Sequence, residues 1–294
     1  MNALAYPTPA IGLWRLMEWR LDPRQLVRWT ERVLELGARV FDLADIYGDY
    51  EVEAGFGRAL ALQPALREQL FLATKCDIRL VSAKRPAHRI KHYDTSRAHI
   101  LASVENSLRV LHTDRLDLLL LHRPDALMDA DEVAGTLDGL RRAGKVLAVG
   151  VSNFSVSQLE LLASRLPFPL LTNQVEFSVL HTAPLGDGTL DQCQRLRIAP
   201  MAWSPLGGGR LFAGGGEREQ RVRAALAEVG AERGGWTVDQ CALVWLLTHP
   251  ARVVPVLGTR NPDHVRAALA VAHEKFTREQ WYRVLQAING HDVP

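Results

Sequence analysis

The sequence is poor in cysteine and has no long apolar run. Its three cysteines, Cys76, Cys193 and Cys241, are odd in number and far apart, a pattern that indicates neither a disulfide framework nor a zinc site. No apolar stretch approaches the roughly 20 residues of a membrane-spanning helix. Residues 1–6 lack the basic start and the apolar core of a signal peptide. We therefore expect a cytoplasmic protein with reduced cysteines and without a metal site.

The sequence also lacks an excess of either charge. It has 35 basic and 33 acidic residues and a net charge of +2, which is too balanced to indicate a nucleic acid or a membrane surface as partner. Lysine is scarce, because only 5 of the basic residues are lysine and 30 are arginine. One of these lysines, Lys75, ends the apolar run 71–75, which reads as a buried strand. Since a buried lysine shifts its pKa readily and an arginine does not, Lys75 is a candidate for acid–base chemistry.

Short apolar runs alternate with amphipathic helical patterns along the chain, and a Gly-x-Gly-x-x-Gly motif after an early strand is missing. The pattern is typical of a (β/α)8 TIM barrel, which we predict as a single domain over residues 1–294. An open doubly wound sheet is the alternative, and the missing glycine motif disfavours it. The eight predicted strands lie near residues 11–13, 40–43, 71–75, 117–122, 148–151, 171–175, 199–203 and 253–257.

Three connections are longer than this alternation requires, namely residues 77–94, 178–191 and 207–219. Each follows a predicted strand, so on a barrel all three would rise from the C-terminal face, where such barrels carry their active sites. The segment 79–92 is rich in Arg, Lys and His. Two interpretations of it stay open: a loop over the substrate mouth that favours anionic substrates, or a solvated loop of an arginine-rich protein.

Polar side chains are predicted at the ends of neighbouring strands. Asp42, Lys75 and His122 end the second, third and fourth strands, and Tyr47 follows Asp42 by five residues. Each has an ordinary structural explanation on its own. Together, a cationic Lys75 would lower the pKa of Tyr47 from its usual value of about 10, Asp42 would hold the lysine, and His122 would orient a substrate oxygen. This arrangement is suited to donating a proton to a carbonyl oxygen.

Several motifs occur in a characteristic order around these residues. They are DLADIYG at 42–48, LLLHRPD at 119–125, GVSNF at 150–154, NQVE at 173–176, MAWSPLG at 201–207 and VLGT at 256–259. The ordered set covers nearly the whole chain and resembles the aldo-keto reductases, especially a bacterial branch of predicted NADP-dependent oxidoreductases. The resemblance implies a barrel that binds NADPH without a Rossmann domain. It also implies hydride transfer to a carbonyl carbon while Tyr47 protonates the oxygen, supported by Asp42, Lys75 and His122.

The resemblance further implies a set of cofactor residues. Ser152, Asn153 and Gln174 would hold the nicotinamide carboxamide, Trp203 would stack on the ring, and residues 204–210 would follow the pyrophosphate. The complete implied set is Gly12, Leu13, Trp14, Asp42, Ser152, Asn153, Gln174, Trp203, Ser204, Leu206, Gly207, Arg210, Gly258, Thr259, Arg260 and His264.

The adenosine end departs from the best-known family pattern. Gly258 and Thr259 stand where many members have Lys followed by Ser or Thr, and His264 lies near the place of an Arg. Arg260 is then the expected cationic partner of a phosphate. The expected cofactor is NADP(H) rather than NAD(H).

Three functions are compatible with these residues. We favour an NADPH-dependent carbonyl reductase acting on a small-molecule substrate, as a monomer or weak homo-oligomer. A Schiff-base aldolase that uses Lys75 as nucleophile is the second, although an aldolase does not need residues that hold a nicotinamide. A binding or redox-sensing module that retains the cofactor is the third. Because only ten residues precede the first predicted strand, we expect the N-terminal hairpin common in the family to be absent or very short.

Overall fold

Eight parallel strands close into a barrel in the computed structural model, which describes residues 9–294. The order around the barrel is β1-β10-β9-β8-β7-β6-β3-β2, and β4 and β5 form a separate antiparallel pair. The strands are β1 (Ala10–Gly12), β2 (Val40–Asp42), β3 (Phe71–Cys76), β4 (Ile78–Arg79), β5 (His92–Tyr93), β6 (Leu116–Leu121), β7 (Val146–Ser152), β8 (Asn173–Glu176), β9 (Met201–Trp203) and β10 (Val254–Leu257). The predicted TIM barrel is confirmed and the open sheet is excluded. The expectation about an N-terminal hairpin falls largely on residues 1–8, outside the described residues.

Helices follow most of the barrel strands. The first of them begins after Asp22, which caps it in a reciprocal pair of hydrogen bonds with Gln25. It ends before Gly37, which takes the left-handed backbone that glycine favours (φ 101°). The helices are α1 (Pro23–Glu35), α2 (Tyr47–Tyr50), α3 (Val52–Leu62), α4 (Arg97–Val110), α5 (Ala130–Arg142), α6 (Val156–Ala163), α7 (Thr189–Leu196), α8 (Arg210–Ala213), α9 (Glu217–Glu232), α10 (Val238–Thr248), α11 (Pro262–Ala270) and α12 (Arg278–Asn289).

The chain divides into two compact units. The first unit comprises Ala10–Gln174 and Gly258–Pro262; the second comprises residue 9, Val175–Leu257 and Asp263–Pro294. A single domain over residues 1–294 therefore stays a prediction. No helix within residues 9–294 is long and apolar enough to cross a membrane, and the cytoplasmic location stays a prediction as well.

The core of the first unit is built on β6 and on stacked aromatic rings. Residues 118–121 of β6 are almost fully buried, as expected for a parallel strand covered on both faces. Behind β2, the ring of Phe41 stacks on that of Phe56 at 5.7 Å. β7 approaches its neighbours so closely that a Cβ atom on Gly150 would lie 2.8 Å from the carbonyl oxygen of Thr172. This packing fixes the strand ends that carry the polar residues.

The core of the second unit is organised by two tryptophans. The rings of Trp245 in α10 and Trp281 in α12 stack in parallel at 5.0 Å. Each indole also donates to the other residue's backbone carbonyl, at 3.2 Å and 3.0 Å. The stacking supplies apolar contact and the reciprocal bonds satisfy both indole N–H groups. Phe177, just after β8, packs against Trp245 at 5.6 Å and ties that strand to the helices.

The three long connections are present, and each contains short regular structure. Residues 77–94 hold the β4–β5 hairpin, in which Ile78 pairs with Tyr93 and Arg79 with His92. The connection 178–191 contains a 3-10 turn, Ala183–Leu185, and the start of α7. The connection 207–219 contains a second 3-10 turn, α8 and the start of α9.

Candidate active site

The buried amine of Lys75 is the centre of a polar cluster at the ends of β2 and β3. Its Nζ atom donates to both carboxylate oxygens of Asp42, at 2.8 Å and 2.7 Å, and to the carbonyl oxygen of Leu43 at 2.8 Å. It also donates to the hydroxyl of Tyr47 at 3.1 Å. The side chain of Lys75 is fully buried, and that of Asp42 is 4% exposed. β2 and β3 are adjacent and parallel, which explains why residues distant in sequence meet here.

His122 and Tyr47 complete the cluster from two other segments. His122 directly follows β6, and its backbone N–H donates to the carbonyl of Cys76 at 2.9 Å. Its ring meets that of Tyr47 edge to face at 5.7 Å. Within residues 9–294 the buried Nδ1 atom of His122 has no hydrogen-bond partner. The structure therefore brings together all four side chains predicted to be catalytic.

Burial and neighbouring charges shift the pKa values of Lys75, His122 and Tyr47. Burial opposes the charge on Lys75, but Asp42 and then Tyr47 hold its pKa above the ordinary value. Burial lowers the pKa of His122 well below its usual range, reinforced by Lys75, so the ring is neutral near pH 7. Burial also raises the pKa of Tyr47, more than Lys75 lowers it. The expected net lowering of the pKa of Tyr47 is therefore wrong, although the contribution of Lys75 has the expected sign.

The three predicted carboxamide ligands lie beside this cluster in the same unit. The side-chain amide of Gln174 donates to Asp42 at 2.9 Å, a link that sequence reasoning missed. The hydroxyl of Ser152 donates to the carbonyl of Gln174 at 2.8 Å, and the amide of Asn153 donates to the Ser152 hydroxyl at 2.8 Å. Asn153 takes a left-handed backbone, φ 60°, which is uncommon outside glycine and concentrates at functional sites. Donors and acceptors thus converge, as a neutral carboxamide requires.

Other predicted cofactor residues of the first unit lie at the ends of β1 and β10. Gly12 and Leu13 are buried, and Leu13 donates its N–H to the carbonyl of Asp42 at 2.9 Å. Trp14 is 61% exposed. Gly258 and Thr259 follow β10. Arg260 is exposed, and its guanidinium donates to the carbonyl of Trp19 at 3.3 Å while its own carbonyl accepts from the Trp29 indole at 2.6 Å.

The remaining predicted cofactor residues belong to the second unit. Trp203 ends β9 and is half-buried, and Ser204 after it has a left-handed backbone, φ 50°. Gly207 packs so tightly on Leu180 that a Cβ atom would approach its Cδ1 to 2.8 Å. The Nε of Arg210 donates to the carbonyl of Gly207 at 3.2 Å. Two more predicted residues belong here: Leu206, which packs on the core residues Leu243, Leu257 and Ala268, and His264, which is exposed in the first turn of α11.

Two carboxyl groups next to β3, one buried and one partly buried, were not identified as unusual from the sequence. Glu53, in the first turn of α3, is 3% exposed and accepts from the hydroxyls of Thr74 at 2.6 Å and Ser107 at 3.0 Å. Asp45 accepts from Ser103 at 2.8 Å, and its other oxygen, Oδ1, is sealed from solvent and unpartnered within residues 9–294. The signal was the helical spacing from Glu53 to apolar Phe56, which puts both on one face.

These carboxyls predict a falling stability with rising pH. Burial raises the pKa of Glu53 from 4.5 to about 7; burial and then Glu53 raise that of Asp45 from 3.8 to about 8. The folded state therefore holds protons that the unfolded chain releases. The contribution of these two groups to the free energy of unfolding is highest below pH 4 to 5. It is lost as the pH rises through 7 to 8, where the carboxyls ionise in the folded protein. For Glu53 the loss is about 3 kcal/mol.

Glu53→Gln should reduce this pH dependence because glutamine never ionises. Urea unfolding at pH 5 and pH 8, at constant ionic strength, measures it. Glu35→Gln, on an exposed position of α1, is the matched control and should keep the wild-type slope. An unchanged slope in Glu53→Gln would show that Glu53 is ionised in the folded protein across this range.

The turn that carries Tyr47 has an unusual backbone. Gly48, Asp49 and Tyr50 are consecutive left-handed residues, with φ of 57°, 55° and 67°. A non-glycine residue in this conformation costs roughly 1–2 kcal/mol, and such turns persist where the surroundings over-determine them. Glycine is required at position 48 also by space, because a Cβ atom would lie 2.6 Å from the Cγ of Met17. The proton-donor candidate thus sits at the start of a turn that needs external support.

Known proteins are similar to this chain over nearly its full length. The sequence model of the Aldo/keto reductase family matches residues 10–289. Oxidoreductase YdhF of Escherichia coli (strain K12) is 50% identical over 284 residues, which cover 97% of this chain and 94% of that protein. The 6-dehydroglucose reductase of Agrobacterium fabrum (strain C58) is 43% identical over 287 residues, which cover 96% and 94%.

A solved structure shares the fold as well. The crystal structure of an aldo/keto reductase from Klebsiella pneumoniae in complex with NADP and acetate has a TM-score of 0.77 with this chain. The sequence identity is 26%, and the similarity covers 98% of this chain and 93% of the other.

Proposed function

This chain belongs to the aldo/keto reductase family, and we propose that it is an NADP(H)-dependent oxidoreductase that reduces aldehydes or ketones to alcohols. The observation that carries the proposal is the hydrogen bond of 3.1 Å from Lys75 to the hydroxyl of Tyr47, with Asp42 bound to the same amine. A phenol beside a buried ammonium, itself neutralised by a carboxylate, is suited to releasing a proton to a substrate oxygen. The similarity to a structure that contains NADP supports the choice of cofactor.

The residues of this chain fit the nicotinamide end of that cofactor. Ser152, Asn153 and Gln174 combine hydroxyl and amide groups within hydrogen-bonding distance of one another or of shared partners, which suits a carboxamide that both donates and accepts. When bound, NADP(H) would supply the hydride. At the adenosine end, Arg260 would offer its guanidinium to a phosphate.

The four candidate catalytic side chains would hold the proton and transfer it to the substrate oxygen. Tyr47 holds it on the hydroxyl oxygen, because burial keeps the pKa of this phenol high in the free protein. As the proton moves to the substrate oxygen, the ammonium of Lys75 stabilises the phenolate left behind. Asp42 keeps that lysine charged. His122, neutral because its pKa is low, can hydrogen-bond the substrate oxygen without repelling Lys75.

A cofactor titration followed by a carbonyl panel tests the proposal. Protein fluorescence should report binding of NADPH in preference to NADH. Loss of the reduced-nicotinamide absorbance should then follow the addition of an aldehyde or ketone. The panel includes 6-dehydroglucose, because a relative that is 43% identical is named as its reductase. Tight NADPH binding without oxidation across the panel would favour the binding or redox-sensing module.

The geometry disfavours a Schiff-base aldolase. A nucleophilic lysine must be unprotonated, whereas the Nζ of Lys75 donates to Asp42, Leu43 and Tyr47 and its pKa is raised. Borohydride treatment with a carbonyl substrate should therefore leave Lys75 unmodified. The monomeric or weakly oligomeric state stays a prediction.

A further inference from the structure

The left-handed turn after Tyr47 is held by the hairpin that follows β3. Lys84, in the connection between β4 and β5, donates to the carbonyl oxygen of Asp49 at 2.9 Å and forms an ion pair with Glu51 at 2.6 Å. Its amine also lies 3.7 Å from the carboxylate of Asp49. One side chain thus contacts the middle of the turn and the residue at its end.

Two further contacts join the same partners. The backbone N–H of Leu80 donates to the hydroxyl of Tyr50 at 2.9 Å. The guanidinium of Arg85 lies over the ring of Tyr50, 4.6 Å from its centroid, a distance at which the cation–π attraction operates. We name Leu80, Lys84 and Arg85 the hairpin clamp. Its contacts fall on the left-handed residues 49 and 50 and on Glu51.

The base of the hairpin is itself braced. Arg79 donates to the carboxylate of Asp94 at 2.6 Å and lies 2.9–3.1 Å from the Nε2 atom of His88. The other ring nitrogen of His88 is 3.0 Å from the carbonyl of Leu80. β4 begins three residues after Lys75, so the hairpin continues the strand that carries the catalytic amine. The amine of Lys75 lies on β3, and the turn after Tyr47 is contacted by the hairpin that continues β3. The positions of the amine and the phenol therefore both depend on this one strand.

The basic segment therefore does more than the sequence suggested. Lys84 and Arg85 were expected either to attract anionic substrates or to be solvated. Both are exposed, and both also contact the turn that follows Tyr47. Arg89, in the same segment, is exposed, and within residues 9–294 its side chain makes no hydrogen bond or ion pair.

We propose that Lys84 is a positioning residue for catalysis: through the hairpin clamp it holds the left-handed turn and so places the hydroxyl of Tyr47 beside Lys75 and His122. The inference rests on the proposed function, in which Tyr47 donates the proton. It adds a residue whose side chain contacts Asp49 and Glu51 rather than the four candidate catalytic side chains. Without the clamp, the turn would sample other conformations and the phenol would leave its productive position.

Kinetics of Lys84→Met test the positioning role. We expect kcat to fall about tenfold, because small displacements of a reacting group cost that much or more, while the KM for NADPH stays unchanged. Lys84→Arg should restore most of the rate, since arginine can reach the same acceptors. Arg89→Met is the matched control and should behave as wild type. The variant Tyr47→Phe/Lys84→Met should be no slower than Tyr47→Phe alone, because the clamp acts only through Tyr47.

Hydrogen exchange gives a measurement that does not depend on turnover. The amides of residues 47–51 should exchange faster in Lys84→Met than in wild type or Arg89→Met. The inference would be overturned if Lys84→Met left either the exchange of these amides or kcat unchanged. It would also be overturned if Lys84→Met lowered kcat as much in the Tyr47→Phe background as in the wild type. A wild-type protein that reduces no carbonyl compound would instead refute the proposed function. Hydrogen exchange alone would then show whether the hairpin clamp holds the left-handed turn.

Discussion

Replacing Tyr47 by phenylalanine should lower kcat roughly a hundred- to ten-thousand-fold, the range that a positioned general acid contributes. The variant loses only the hydroxyl that accepts from Lys75 at 3.1 Å. The amine retains its bonds to Asp42 and to the carbonyl of Leu43, so no buried charge is left unpaired. The ring of His122 still has an aromatic neighbour. We therefore expect the fold and the NADPH affinity to be preserved while turnover is lost.

Steady-state kinetics and a fluorescence titration on the same preparation measure both quantities. Tyr282→Phe, an exposed position in α12, is the matched control and should keep the wild-type kcat. Wild-type turnover in Tyr47→Phe would show that the proton comes from another group. A parallel loss of NADPH affinity would show that the hydroxyl supports the cofactor site.

Replacing Lys75 by methionine should cost both activity and stability. Methionine fills a similar volume but leaves the carboxylate of Asp42 buried, at 4% exposure, without its counter-ion. Breaking a buried pair by removing one partner costs about 3–5 kcal/mol, because the remaining charge is uncompensated. The phenolate of Tyr47 also loses the cation that stabilises it. We expect a kcat near that of Tyr47→Phe and a much lower urea midpoint.

The variant Asp42→Asn/Lys75→Met separates the two effects. Asparagine removes the unpaired charge and can still accept the hydrogen bond from Gln174 that Asp42 accepts at 2.9 Å. The double variant should therefore regain much of the stability lost in Lys75→Met while remaining inactive. A Lys75→Met protein as stable as wild type would contradict a charged Asp42, and recovered activity in the double variant would contradict the role of the ammonium.

Local chemistry made several features predictable from the sequence. The apolar runs 71–75 and 117–122 predicted strands close to the observed bounds of β3 and β6. The order of Asp42, Lys75 and His122 at successive strand ends predicted their meeting, because parallel strands of a barrel present their C-terminal ends at one face. These signals depend on neighbours in sequence or on a regular topology.

Other features arise from contacts that no local pattern encodes. The spacing from Glu53 to Phe56 indicates a shared helix face, but nothing near Glu53 in sequence identifies Thr74 and Ser107 as its partners. The charge of the basic segment did not reveal that Lys84 binds Asp49 and Glu51. In each case the partner lies on a different element, and its distance depends on how the elements pack.

By itself the sequence determined the barrel, the family and the identity of the residues at the strand ends, since periodicity and motif order survive without coordinates. The charge states of the cluster and the contacts that hold the turn after Tyr47 depend on the tertiary structure. Burial raises the pKa of Tyr47 against the effect of Lys75, and this balance depends on how much water the packing excludes. The left-handed turn is held from outside by a hairpin 30 or more residues away, a contact that exists only once the chain has folded.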